Sequence, residues 1–300
     1  MRISFALLIC LTATIGFAAD KPKPLVPTHA NVSYGSHRLN TIDFWRAEGD
    51  GPRPLLVYIH GGGWTGGDKK QSPATISPYL KKGISYAAIN YRLSGEAPLP
   101  TPVHDAARAI QFIRSKAAEW NINKSRIALT GGSAGACTSM WLLFHDDMAN
   151  PKSDDPVQRE SSRVTAAAVA GGQVSIDPPV IKSWLGPNVL KHRMIWMAVG
   201  EKTMADAMKN YEKHKAMYVE FSPYNHLDKN DPPLLMTYGN NMKLPSENAG
   251  HGIHHPVYGV KLKEKADRLG HECHLLIAGV SKSDKYSSPQ QFLMAKLLAP

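Results

Sequence analysis

Thr130-Gly131-Gly132-Ser133-Ala134-Gly135-Ala136 follows directly on the apolar run Arg126-Ile127-Ala128-Leu129. After it, Ala136 to Phe144 reads as a buried helix. A Gly-x-Ser-x-Gly between a strand and a helix is the spacing of a serine held on a sharp turn, its hydroxyl projecting out of the sheet. Such a bend strains the backbone, and side chains at Gly131 and Gly135 would collide with strand, helix or substrate. The pentapeptide alone is common in Gly/Ser-rich chains, so its setting between a strand and a helix carries the argument.

A second stretch lies upstream. Leu55-Leu56-Val57-Tyr58-Ile59 is a short apolar run of the kind found in buried parallel strands, and it enters His60-Gly61-Gly62-Gly63-Trp64. Three glycines after a strand leave backbone N–H groups bare, and such donors can hold a developing oxyanion. A triple glycine alone reads first as a flexible turn. The pair, strand plus HGGGW and then strand plus GGSAG, is far more specific.

On these residues the chain resembles an α/β-hydrolase of the hormone-sensitive-lipase/carboxylesterase type, close to bacterial feruloyl-esterase-like (BD-FAE-like) proteins. The resemblance runs from about Val32 to the C-terminus. It includes His60–Trp64, Asn90-Tyr91-Arg92-Leu93, Asp105, Gly131–Gly135, and Ser222-Pro223 ahead of Pro232-Pro233-Leu234-Leu235. It implies a nucleophilic serine, an acid after the seventh strand and a histidine after the eighth.

The remaining pattern fits one such domain. Three hundred residues is an ordinary length for it. Asn31 to Gly35 and Leu39 to Trp45 suggest an antiparallel edge pair, and Ile84 to Tyr91, Thr165 to Ala170, Leu234 to Gly239 and His274 to Ile277 suggest further strands. Helices are expected over Thr75 to Lys82, after Pro102, over Pro256 to Leu269 and over Gln290 to Leu298. Asp105 reads as a first-turn residue favouring the helix dipole. Ser175 to Tyr218 is a long insertion with helical pieces. Its Trp184, Met194, Trp196, Met197 and Met217 either cap the serine or pack on the core. The expected fold is therefore a mostly parallel, eight-stranded α/β-hydrolase sheet with helices on both faces and a helical insertion over the active-site face.

Composition narrows the partners. The formal net charge of +10 suggests anionic ones, but the basic residues are scattered and their densest cluster, Lys261 to Lys265, includes Glu264. No nucleic-acid motif is present, so solvated surface is the reading, with attraction to acidic polysaccharide or a cell envelope as the alternative. Residues 1–19 read as a cleavable export signal, with Arg2, an apolar Ile3 to Phe17 and small residues at Ala18-Ala19. Residues 20–30 read as an extended proline-rich lead and 31–300 as the hydrolase domain. After signal cleavage no segment is apolar enough to cross a membrane. Cys137 and Cys273 then remain, expected as buried free thiols. The carboxylates between Phe144 and Arg163 lack calcium-loop spacing, so no metal and no cofactor is expected.

The acid and base depart from the family pattern. Gly239 is followed by Asn240-Asn241-Met242-Lys243, with no carboxylate before Glu247, and no histidine occurs after His274. A serine hydroxyl is a poor nucleophile without a base in reach. His251, His254 and His255 cluster in the loop after the seventh strand, on the serine side of such a fold. His254 or His251 is the expected displaced base, with Glu247 as its orienter. A Ser–Lys pair using Lys282 is a weaker option, because Lys282 lies among polar residues that leave it solvated and charged. The expectation is an exported carboxylic ester hydrolase, acting on a small-molecule or polysaccharide-linked ester. Ser133 is its nucleophile, and the amides of Gly62, Gly63 and Ala134 form its oxyanion hole. The alternative is a hydrolase fold that has lost turnover and binds a glycan, an ester or a protein.

Overall fold

A computed structural model of the chain describes residues 25–299. The expected export signal and the first part of the lead lie outside the described residues. Eight strands form one sheet: β1 His29–Ser33, β2 Thr41–Trp45, β3 Arg53–Ile59, β4 Ser85–Ile89, β5 Ile122–Gly132, β6 Ala166–Ala170, β7 Leu234–Tyr238 and β8 Cys273–Ile277. Their spatial order is β1-β2-β4-β3-β5-β6-β7-β8. The pairs β1/β2 and β2/β4 are antiparallel, and every other pair is parallel.

The pleat divides the core in two. In β3, Leu55, Val57 and Ile59 join the larger cluster on one face while Leu56 joins the smaller one on the other. Helices Thr101–Ser115 and Ala134–Phe144 cover the first face, and Pro73–Leu80 and Pro289–Leu298 the second. Burial on both faces explains why the central strands are apolar without alternation.

This order positions the site. β3 lies directly beside β5, with Ile59 paired to Gly131, so the HGGGW loop and the serine turn leave the sheet side by side. In parallel sheets the loops at the carboxyl ends of the strands share one edge, which is where ligands collect.

One local expectation changes, at Asp105, and two loops make contacts that the sequence did not show. Residues 25–28 of the lead are docked: the Trp45 indole donates to the Leu25 carbonyl at 3.2 Å and the Arg46 amide to Thr28 Oγ1 at 2.9 Å. Asp105 does not serve the helix dipole. Its buried carboxylate takes the Arg92 guanidinium at 2.6 and 2.8 Å, the Arg92 amide at 3.0 Å and the Asn40 side chain at 2.9 Å. The acidic loop after Phe144 spends its carboxylates internally. Asp147 accepts the Ser162 amide at 2.9 Å, and Asp155 pairs with Arg108 at 2.6 Å.

Candidate active site

The serine turn is as sharp as its glycines require. Ser133 has φ 53° and ψ −123°, a conformation costly for any residue with a side chain. A Cβ at Gly135 would stand 2.1 Å from the Ile59 carbonyl oxygen, and one at Gly131 2.6 Å from the same atom. The strained residue is held by its neighbours. The Ser133 amide donates to the Ala170 carbonyl at the end of β6 (2.9 Å), and its carbonyl accepts the Cys137 amide (3.0 Å). Ser133 is half-buried, and its hydroxyl opens into a cleft of about 500 Å³ lined by Gly61, Gly132, Gly171, Thr237, Gly239 and His254.

The HGGGW loop is anchored at both ends. The His60 ring stacks on Tyr91 at 4.2 Å, and the Tyr91 hydroxyl donates to the His60 carbonyl at 2.7 Å. Trp64 is fully buried and its indole donates to Thr138 Oγ1 at 2.9 Å, tying the loop to the helix that follows Ser133. Between these anchors Gly62 and Gly63 take φ +101° and +63°. Among the described residues, neither glycine amide donates to a protein acceptor. The Ala134 amide opens a helix, where no carbonyl four residues back is available to it. A Cβ at Gly61 would lie 3.3 Å from Ser133 Cβ, so loop and turn are in contact.

Of the three clustered histidines, one reaches the serine. His254 Nε2 lies 2.9 Å from Ser133 Oγ. Its other nitrogen, Nδ1, lies 3.0 Å from the Gly250 carbonyl oxygen. A carbonyl only accepts, so Nδ1 carries the proton and Nε2 is left with a lone pair facing the hydroxyl. The short helix Ala249–Ile253 makes this geometry, and the Asn248 side chain caps it by accepting the His251 amide at 2.9 Å. His254 follows directly, one turn after Gly250. The buried Gln173 side chain donates to the Ile253 carbonyl at 2.6 Å, fixing the backbone before His254 to the loop after β6. A Cβ at Gly171 would be 3.6 Å from His254 Cδ2, an ordinary contact distance, so the ring lies beside the loop after β6.

His251, the other expected base, is not brought to Ser133. Its Nδ1 accepts the Glu247 amide at 3.1 Å and its Nε2 donates to the Asn241 carbonyl at 3.0 Å, so both nitrogens are used. Glu247 does not orient His254 either. Its carboxylate contacts Asn241 at 3.0 Å, Lys243 at 3.0 Å and His251 at 3.8 Å. His255 is completely buried, accepting the Val257 amide and donating to the Lys243 carbonyl, both at 3.1 Å. Desolvation lowers its pKa and keeps it neutral. Lys282 is exposed and lines a different cavity, beside Tyr286. His274 faces Glu272 at 3.2 Å and Ser283 at 2.9 Å.

The capping reading of the insertion gives way to packing. None of Trp184, Met194, Trp196, Met197 and Met217 lines the Ser133 cleft. Trp184 packs edge-on against Tyr224 and Tyr258, and Met217 lines a separate cavity with His104 and Phe221. The insertion still touches the site at one point, where Met194 and His192 lie against Gly63. His192, Gln173, Asn248 and Gly250 carried no motif in the sequence.

Comparison with known proteins agrees with this architecture. The BD-FAE family model matches residues 43–249. The probable carboxylic ester hydrolase LipM of Mycobacterium tuberculosis (strain ATCC 25618 / H37Rv) is 29% identical over 228 residues, which are 74% of this chain and 50% of LipM. Esterase LipQ of the same organism is 33% identical over 216 residues, 70% of this chain and 48% of LipQ. The chain thus spans about half the length of these curated relatives. Among solved structures, a truncated carbohydrate esterase from gut microbiota superposes with a TM-score of 0.71 at 22% identity, covering 92% of this chain and 99% of that one. An acetyl ester-xyloside bifunctional hydrolase from Caldicellulosiruptor lactoaceticus gives 0.59 at 21% identity, covering 84% and 86%. At these identities the structural likeness establishes the α/β-hydrolase fold.

Proposed function

The chain belongs to the BD-FAE family, and from that premise we propose that it is a carboxylic ester hydrolase that works through Ser133 and a displaced base, His254. The observation that carries this reading is the 2.9 Å contact between His254 Nε2 and Ser133 Oγ, in the tautomer a base needs. As Ser133 Oγ attacks the ester carbonyl, its proton passes to Nε2 and the carbonyl electron pair moves onto oxygen. The amides of Gly62, Gly63 and Ala134 receive that oxyanion. When the tetrahedral adduct collapses, His254 returns the proton to the leaving alcohol. It then takes a proton from water, which attacks the acyl-serine, and when that adduct collapses it returns the proton to Ser133 Oγ as the acid leaves.

In this scheme the Gly250 carbonyl takes the place of the family carboxylate. It fixes the ring and its tautomer as an acid would, but as a neutral dipole it stabilises the imidazolium less. The missing acid therefore lowers turnover without abolishing it. The names of LipM and LipQ support a carboxylic ester as substrate, and that of the gut carbohydrate esterase supports an acyl group carried on a glycan. The apolar stretch Ile3 to Phe17, with Arg2 before it and Ala18-Ala19 after, supports an exported protein.

Turnover of p-nitrophenyl acetate tests the scheme. The wild-type protein hydrolyses it, and Ser133→Ala reduces the rate to that of buffer. Equal, background-level rates for the two would leave the binding-module alternative.

A further inference from the structure

We propose that the protein docks on an anionic lipid surface through a basic cavity on the sheet edge opposite Ser133, leaving the catalytic cleft turned outward. The proposal goes beyond the ester chemistry and does not depend on it.

A cavity of about 730 Å³ lies where Arg53 opens β3 and the Lys81–Gly83 turn leads into β4. β3, β4 and β5 are parallel, so this is the amino-terminal edge of the sheet, whereas the serine turn leaves the carboxyl-terminal edge. The seven residues of β3 separate the two by roughly 20 Å. Arg46, Arg53, Lys81 and Lys82 line the cavity against one carboxylate, Glu48. Among the described residues none of these five side chains forms an ion pair. Arg53 Nε donates to the Gly83 carbonyl at 2.9 Å and its Nη1 to the Asp50 carbonyl at 3.4 Å. Both acceptors are neutral, so the guanidinium keeps its full charge. Lys81 and Lys82 suit the C-terminus of the helix Pro73–Leu80. That helix end does not account for Arg46, just past β2, or for Arg53. Four cations gathered here repel one another, and an anionic surface relieves the repulsion.

The apolar part of the lining selects lipid over a soluble polyanion. Leu25 and Leu80 supply it. Val26, beside Leu25, is 73% exposed, the most exposed large apolar side chain among the described residues. Aliphatic groups among cations match the boundary between charged headgroups and acyl chains. An acidic glycan would be better met by aromatic faces, and no aromatic residue lines the cavity. Lys23 and Lys21 add charge close by, since they precede Leu25 in the chain and backbone geometry keeps them within about 7 and 14 Å of it.

The experiment is co-sedimentation of the purified protein with vesicles of phosphatidylcholine, alone or with one third phosphatidylglycerol, at low salt. Pure phosphatidylcholine reads any pull from the apolar residues 3–17, and the difference between the two vesicles reads charge. Each Lys or Arg near such a surface corresponds to about fivefold in affinity. Lys81→Gln with Lys82→Gln should therefore weaken binding to the anionic vesicles about 25-fold. Lys209→Gln with Lys213→Gln makes the same change of net charge on exposed lysines of the insertion, and should weaken it less than about threefold. All four substitutions are at exposed positions, and cooperative urea unfolding checks that both variants fold. Equal losses for the two pairs would show a response to net charge alone and overturn the proposal. Equal binding of wild type to the two vesicles would overturn it as well. Polygalacturonate that binds wild type but not the Lys81/Lys82 variant, with no binding to either vesicle, would assign the cavity to an acidic glycan instead. Sedimentation needs no turnover, so failure of the ester reading leaves this test intact.

Discussion

Replacing the three clustered histidines one at a time separates chemistry from structure within five residues. Removing a general base costs on the order of 10²–10⁴ in rate, or about 3–5 kcal/mol of transition-state stabilisation. The 3.0 Å bond from His254 Nδ1 to a neutral carbonyl limits what this imidazolium contributes. His254→Ala should therefore lose about 10²–10³ in kcat/KM, the lower half of that range. It should cost little stability, because the ring is exposed and surface changes stay within about 0.5 kcal/mol. His255→Ala should do the reverse. Its buried ring satisfies the Val257 amide and the Lys243 carbonyl, and leaving two such groups unpaired costs about 1–3 kcal/mol each. The assay is p-nitrophenyl acetate hydrolysis beside urea unfolding for each variant. A His254→Ala protein within threefold of wild-type kcat/KM, with a large kinetic loss in folded His251→Ala or His255→Ala instead, would refute the reasoning.

Other residues give independent tests. Gly135→Ala drives a methyl group to 2.1 Å from the Ile59 carbonyl and 2.6 Å from that of His60, neither of which can rotate away. It should destabilise by about 3 kcal/mol or more, read as a shift in the urea midpoint. Asp105→Ala strips the Arg92 amide and guanidinium and the Asn40 side chain of their shared acceptor. The Arg92 side chain can turn to solvent, so the cost is that of the unpaired amide and Asn40 side chain, about 1–3 kcal/mol in the same measurement, and an unchanged midpoint would contradict this account of Asp105. Partial burial raises the Glu272 pKa, but Lys296, His274 and Lys285 outweigh it and hold the carboxyl down at about 2. An unfolded glutamate titrates near 4.3, so this contribution is complete above roughly that pH and fades as pH falls toward the folded value. Glu272→Gln should accordingly lower the urea midpoint at pH 7 and lower it less at pH 3, and a gap that widens on acidification would reverse the sign.

The fold was legible because its signals are local. Glycines at 131 and 135 are required by carbonyls within 3 Å of their missing side chains, and the apolar runs of β3 and β5 are required by burial on two faces. Ser133 and the HGGGW loop could be read for the same reason. The base was legible only as a set of neighbours. His251, His254 and His255 differ by a rotation about one short helix, and the Asn248 cap and the Gln173 bond to the Ile253 carbonyl set that rotation. Neither residue leaves a pattern in sequence. Glu247 looked like an orienter because it precedes the cluster, yet its charge goes to Lys243 beside it. The insertion stayed open for another reason. Its tryptophans and methionines suit either a lid or a packed layer, and composition does not say which face they turn to. Gly250 was beyond reach altogether, since a backbone carbonyl can replace a carboxylate without changing any residue type.

The central claim is that His254 activates Ser133, and covalent labelling measures this most directly. Incubate wild type, His254→Ala and Ser133→Ala with a fluorophosphonate at pH 7.5 and follow the intact mass with time. The account predicts one adduct on wild type, mapped to the peptide containing Ser133, formation at least about a hundredfold slower in His254→Ala, and none in Ser133→Ala. Labelling of His254→Ala at the wild-type rate, or an adduct that survives in Ser133→Ala, would contradict it.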